Sequence, residues 1–432
     1  MNRQVLKLAI PSIFANITVP LVGMVDVAIA GRLGEAALIG GIAMATMLFD
    51  LLYWNMGFLR VGTSGMVAQA YGRGDYADAM RVFVQGLFTS VSIALLIWAI
   101  QFIYVDLAFK FIECSPEVEL LAREYYFIRI WAAPATLSLY VFKGFFIGMQ
   151  DTVSPMVVDV TVNLMNLAAS VVLALSAGMG FSGIALGTVV AQYVGLALSV
   201  FFMLYKYRKL FQYISLEKCR DLGSIRKFFV LNANLFLRSI GLLLIYTGFT
   251  SLSAQYGDDL LAVSTILMKL MMLFSYFIDG FAYAGEAITG KYIGLADKKS
   301  LYRAIKVIFV WSIAIGVVST LVYLFGGEYM VRMLADNQGV IECSRDFLFW
   351  LLIMPVVSCA AFTWDGIFIG ATASKAIRNS MLYAVVAFYI CYYAFNSQIG
   401  MQSLWLGYMA HLVVRTIYLT VAAKKEVFGF QS

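Results

Sequence analysis

The chain of 432 residues is 62% hydrophobic and only 13% charged, with a formal net charge of +6, against about half apolar and about a quarter charged in a soluble domain. Its mean hydropathy is +0.85, and at about 20 apolar residues per helical crossing, roughly twelve crossings with short connections use nearly the whole sequence. No room is left for a soluble domain, a nucleotide-binding domain or a long tail, and the reading is an all-α polytopic membrane protein.

Apolar segments recur at 5–30, 37–70, 82–107, 123–147, 155–176, 180–205, 228–252, 260–290, 304–325, 346–370, 377–396 and 401–423. The start, MNRQVLKLAIPSIFANITVPLVGMVDVAIAG, has the charged-then-apolar order of a signal peptide. Its apolar part runs past the usual signal length and further spans follow at once, so it reads as the first span. Helices are expected throughout, because a lipid-facing segment must satisfy its own backbone hydrogen bonds. The alternation of a membrane barrel strand is absent. With the N-terminus in the cytoplasm, the odd-numbered loops hold only Arg32, Lys110, Arg123, Arg332 and Arg345, while the other loop residues of basic type fall on the cytoplasmic side. That asymmetry places both termini inside. A plasma (inner) membrane location is expected.

The longest basic connection, KYRKLFQYISLEKCRDLGSIRK at 206–227, falls at mid-chain. It divides an N-lobe (1–205, helices 1 to 6) from a C-lobe (228–432, helices 7 to 12). The halves resemble each other: FKGFFIG (142–148) recurs as WDGIFIG (364–370), 222 residues later, and at the same offset Gly72, Asp75 and Arg81 meet Gly294, Asp297 and Arg303. Taken together, in one order and at one spacing, such matches predict two pseudo-symmetric six-helix lobes in the same orientation, a pair with a natural substrate cleft at midplane depth.

Ionisable residues within spans are functional hypotheses by default. Asp50, Arg60 and Asp159 read as residues near cytoplasmic span ends, where side chains snorkel or cap, and Arg129 and Arg415 read similarly. Asp26, in PLVGMVDVAIAG, has no basic residue within a helical turn. Desolvation favours the protonated form of a carboxyl group, so an acid in such surroundings can load and release a proton near neutral pH. Asn163 and Asn166 are i,i+3, with Ser170 four residues further on the same side. They read either as helix-to-helix glue or, with Asp26 and Thr188, as an oxygen-lined pocket for a proton or Na⁺. In SYFIDGFAYAGEAITG, Asp279 and Glu286 stand two turns apart on one face. Lys269 and Arg238 are expected to pair with them, with Asp365 as a further partner for either base.

Five cysteines without a CxxC pair and a single histidine, His411, speak against a His/Cys metal centre. A membrane enzyme would need an acidic metal cluster, a His pair or a nucleophile with its base. An ATP-driven pump would need a P-loop. None of these is visible, so no enzyme, no cofactor and no nucleic-acid partner is expected. Aromatics at 15% and 21 methionines suit adaptable contacts with cationic drugs, and equally suit lipid contact and helix packing.

PLVGMVDVAIAGRLG, GFLRVGTSGMVAQAYGRGD, FKGFFIGMQDTVSP and SYFIDGFAYAGEAITG resemble the multidrug and toxic compound extrusion (MATE) family, and FLRVGTSG and DGFAYAGE its DNA-damage-inducible F (DinF) type. The resemblance runs in order over essentially all of the chain. It implies twelve helices in two lobes and a secondary active antiporter that exports cationic or amphipathic small molecules by rocker-switch alternating access. Asp26 matches the family's ion-coupling aspartate, and Asn166 and Thr188 match its polar partners. Where the family often has a second aspartate the chain has Ser170, and a usual polar position is Lys143. One carboxylate with neutral oxygens can hold a proton, and Lys143 would repel a second cation. H⁺ coupling is thereby favoured over Na⁺ at Asp26, Asn166 and Thr188. A monomer in contact with membrane lipids is expected. The rival reading is a lipid or lipid-linked-sugar flippase of the same superfamily, for which Lys143, Lys269 and Arg238 would supply a basic lining.

Overall fold

Each apolar segment closes its own hydrogen bonds as a helix, since a bilayer offers its backbone no water. The computed structural model describes residues 1–32, 36–112, 114–215, 221–334 and 337–429, with the side chains of 19–28, 30–32 and 36 outside that description. Among the described residues every regular element is helical. The long helices are α1 (Asn2–Arg32), α2 (Ala37–Arg73), α3 (Tyr76–Ala108), α4 (Pro116–Gly148), α5 (Val153–Ser176), α6 (Gly180–Lys206), α7 (Leu222–Tyr256), α8 (Asp258–Gly294), α9 (Lys298–Leu334), α10 (Gln338–Gly370), α11 (Ser374–Ile399) and α12 (Gln402–Glu426). Eleven of them, α2 to α12, are long and apolar enough to cross a membrane. The 31 residues of α1 rise about 46 Å, more than a hydrocarbon core of about 30 Å. Short 3₁₀ turns interrupt α2 at Trp54–Gly57, α4 at Ile130–Ala132 and α10 at Arg345–Phe347.

Residues 14–229 form one compact unit, and residues 1–13 with 230–432 form the other. Two features differ from the division expected at the basic linker. First, the start of α1 packs with the second unit. Tyr292 of α8 donates to Gln4 Oε1 at 3.2 Å. A Cβ on Gly280 would lie 2.8 Å from the Ala9 carbonyl and 2.4 Å from Ile13, so only glycine lets α1 approach α8 this closely.

Second, the linker is fastened to the first unit at both ends. Asp151, in the α4–α5 loop, accepts from the Ser154 N–H (3.0 Å) and hydroxyl (2.7 Å), from Lys206 Nζ (3.0 Å) and from the Tyr207 hydroxyl (3.2 Å). Burial pushes the Asp151 carboxyl up, but the Ser154 and Lys206 donors outweigh it and hold it below the usual carboxylate range. Tyr213 sets its ring 6.1 Å from that of Tyr76. At the far end, Asp221 accepts from the Ser224 N–H and hydroxyl at 2.8 and 2.6 Å, and Arg81 donates to the Ser224 hydroxyl. The first residues of α7 therefore belong to the first unit, and the boundary falls within that helix at 229/230.

Inside each unit the repeat has a physical basis. In the first, a Cβ on Gly144 would lie 2.4 Å from the Arg60 carbonyl of α2, and one on Gly148 would lie 2.7 Å from Val67. In the second, a Cβ on Gly366 would lie 2.2 Å from the Ala282 carbonyl of α8, and one on Gly370 would lie 2.3 Å from that of Glu286. The repeated heptapeptide is thus the backbone-to-backbone seam between the second and fourth helices of each unit. The same offset joins the left-handed residues Gly74 and Ala296, and Gln150 and Thr372. It also joins the helix caps Asp75, accepting from Asp78 N–H at 3.0 Å, and Asp297, accepting from Ser300 N–H at 2.9 Å.

Candidate functional site

The first unit carries a polar ladder on α5. Asp159, Asn163, Asn166 and Ser170 are spaced by four, three and four residues, which keeps them on one helix face. Each rung meets a different neighbour. Asp159 forms an ion pair with Lys143 of α4. Asn163 Nδ2 donates to Thr18 Oγ1 of α1 at 2.6 Å, and Thr18 in turn donates to the Ala15 carbonyl at 2.7 Å. Asn166 Nδ2 donates to Thr188 Oγ1 of α6 at 2.9 Å. Thr188 and Ser170 both donate to the Ile184 carbonyl, at 3.5 and 3.3 Å. Asn166 is 1% exposed, and its Oδ1 has no hydrogen-bond partner among the described residues. A buried acceptor left over in this way can receive a proton donor or a small cation. Of the sequence-predicted residues, Asn166, Ser170 and Thr188 are brought together around the Ile184 carbonyl, while Asn163 pairs with Thr18 of α1. The side chain of Asp26 lies outside the described residues.

Two expectations change here. Lys143 was expected to stand as an uncompensated ammonium that repels a second cation, but Asp159 neutralises it. Asp159 was expected to snorkel or cap near a span end, and instead forms the first rung of the ladder.

The second unit gathers charge around Asp365 of α10. Arg238 of α7 donates Nη2 to Asp365 Oδ2 at 2.6 Å, and Arg415 of α12 donates Nη2 to the same oxygen. Arg415 is 1% exposed and among the largest fully buried side chains. Arg415 is thus neither a cap nor a snorkelling residue as expected, and its place at the centre of the last span is the signal in the sequence for more. Beside it, the Tyr408 hydroxyl donates to the Tyr246 hydroxyl at 3.4 Å, and the Tyr408 and His411 rings meet with centroids 4.5 Å apart. Lys269 is the correction on the other side: it is exposed and makes no ion pair among the described residues. Arg238 of α7 is paired through Asp365 of α10, the further partner expected for it, which also meets Arg415 of α12. Glu286 is fully buried and Asp279 half-buried on α8. At the 222-residue offset, Lys143 paired to an acid stands where Asp365 is paired to two bases, so a base at this position in one unit is an acid in the other.

The family described as MatE matches the chain twice, at residues 11–172 and 235–396, once in each half. The chain is 34% identical to the DNA damage-inducible protein F of Escherichia coli K12, over 98% of this chain and 92% of that protein. It is 23% identical to a probable multidrug resistance protein NorM of Photorhabdus laumondii, over 100% of this chain and 97% of that one. A solved outward-facing multidrug resistance MATE family transporter of the MOP superfamily superposes with a TM-score of 0.90 at 19% identity, covering 100% of this chain and 97% of that one. The chain is therefore a multi-pass membrane transporter of the MATE family and not an enzyme. Within that family it stands with the DinF-like branch.

Proposed function

We propose that the protein is a secondary active exporter of cationic or amphipathic small molecules, driven by inward movement of H⁺ and working by rocker-switch alternating access. The observation that carries the reading is the ladder on α5, where a buried acceptor, Asn166 Oδ1, is left over beside Thr188 and Ser170. Asp26 follows Thr18 by eight residues along α1, a rise of about 12 Å, and Ser170 follows Asn163 by seven along α5, a rise of about 10 Å. With odd-numbered spans running the same way, the carboxyl-bearing turn of α1 and the Ser170 turn of α5 come level above the Thr18–Asn163 bond. One carboxylate among neutral oxygens suits a proton, which needs fewer ligands than Na⁺. Both termini face the cytoplasm of an inner membrane, and the working unit is a monomer.

The test is efflux of a fluorescent cationic or amphipathic dye from proteoliposomes, driven in turn by an imposed pH gradient and an imposed Na⁺ gradient. The pH gradient should drive efflux, and Asp26→Asn, whose amide cannot exchange a proton at neutral pH, should abolish it in folded protein. Efflux by Asp26→Asn at the parent rate would remove Asp26 from the mechanism, and efflux driven by Na⁺ alone would remove H⁺. A lipid or lipid-linked-sugar flippase is the second reading, favoured by the two guanidinium groups on Asp365.

A further inference from the structure

The triad in the second unit carries more base than acid. Arg238 and Arg415 both address one oxygen of Asp365, and the remaining oxygen, Oδ1, has no hydrogen-bond partner among the described residues. The same is true of the Nε–H of each arginine. Arg415 is buried, whereas the Arg238 side chain keeps 18% of its surface open, so one edge of the triad is reachable. Within the triad two guanidinium groups meet one carboxylate oxygen, and the polar atoms left over on all three side chains face no partner among the described residues. A guanidinium is a planar fork suited to the paired oxygens of a carboxylate, sulfonate or phosphate. Apolar surface adjoins it: the Arg415 guanidinium lies 6.0 Å from the Phe362 ring, and the Tyr246 and Tyr408 rings are 6.2 Å apart.

We propose that Arg238 and Arg415 form a binding site for the anionic group of an amphipathic molecule, with Asp365 as the resident counter-ion that the ligand displaces. This inference rests on the export reading for the ligand being cargo. It gives the second unit a preference opposite in sign to the cationic substrates expected from the sequence. A free organic acid and a lipid headgroup present the same chemistry, a delocalised anion on an apolar body.

The experiment is binding to the full-length protein in a neutral maltoside detergent, so that it is independent of any coupling ion. The probes are naphthalene-1-sulfonate and its cationic counterpart, (1-naphthylmethyl)trimethylammonium. The sulfonate should bind saturably and the ammonium should not. Arg238→Gln, at the open edge and least disruptive to the fold, should weaken sulfonate binding about tenfold or more, and Arg238→Lys should restore part of it. Asp365→Asn removes the competing carboxylate and should tighten sulfonate binding several-fold, a gain that a merely structural network would not give. Competition by phosphatidylglycerol but not phosphatidylcholine in mixed micelles would assign the site to a lipid headgroup. Sulfonate binding indifferent to both phospholipids would assign it to a free organic anion. Ammonium binding abolished by Asp365→Asn, or sulfonate binding unchanged by Arg238→Gln and Asp365→Asn alike in variants of parent thermal stability, would overturn the proposal.

Discussion

The Lys143–Asp159 ion pair lends itself to a double-mutant cycle. The side chains keep 23% and 20% of their surface, between the exposed pairs that contribute about 0–1 kcal/mol and the buried ones that cost about 3–5 kcal/mol when one partner is lost. Lys143→Met or Asp159→Leu alone should therefore destabilise by about 2 kcal/mol, each leaving the other charge unpaired among helices. For a unit the size of residues 14–229 this lowers the thermal midpoint by about 4–8 °C. The double variant leaves no orphan charge and should return to within about 1 kcal/mol of the parent. Differential scanning fluorimetry of the detergent-solubilised protein reads all four corners of the cycle. Transport supplies a second readout, since an ammonium already neutralised by Asp159 cannot set ion preference. Lys143→Met should keep H⁺ over Na⁺, while Asp159→Leu, which frees the ammonium beside the ladder, should weaken coupling. A double variant that loses the sum of the two single losses would refute the pairing, as would a switch to Na⁺ in Lys143→Met.

The α8–α10 seam makes a sharper contrast between neighbouring glycines. Gly366→Ala drives a methyl group to 2.2 Å from a backbone carbonyl that cannot rotate away, whereas Gly285→Ala meets nothing closer than 3.6 Å. The first should cost about 1–3 kcal/mol and the second nearly nothing, read as thermal midpoints side by side. Asn166→Leu should leave the fold intact yet abolish gradient-driven efflux, and retained efflux would take Asn166 out of the ion site. At the linker, the sign follows from Asp151, whose carboxyl is held low in the folded protein. The fastening is complete above the ordinary carboxylate range and is lost as pH falls through the depressed value. Cleavage of the linker by pepsin should rise only as pH falls below the ordinary carboxylate range, and Asp151→Asn should open the linker to trypsin at neutral pH. Linker cleavage that does not change with pH would sink this reading.

Much of the fold was legible because its signals are local. Span lengths, the basic linker and the repeated heptapeptide are read from composition and spacing, and the asparagine stripe from a helical period. What closes over long distances was only partly so. The Arg238–Asp365 pair, 127 residues apart, was among the pairings expected, but Arg415, 50 residues from Asp365, was not, and no periodicity says which of several buried bases an acid will meet. Lys269 was misread for a related reason. In a span with apolar residues all round, a lysine's spacing from Asp279 does not tell whether it faces a neighbour or the outside. The departure of the start of α1 from the first unit had a sequence signal in Gly280, between Asp279 and Phe281, and its meaning depends on the partner helix.

The split of α1 also sets a schedule for synthesis. Residues 1–13 leave the ribosome first, but the glycine of α8 against which they lie is encoded about 270 residues later, a delay of roughly 15–55 s at ordinary elongation rates. Throughout that interval the earliest segment of the nascent chain is without its final neighbour while the helices that follow it can already pack among themselves. Completion of the second unit must wait for the oldest part of the chain to be recruited by one of the younger helices, so insertion of this protein cannot finish in strict order from first residue to last.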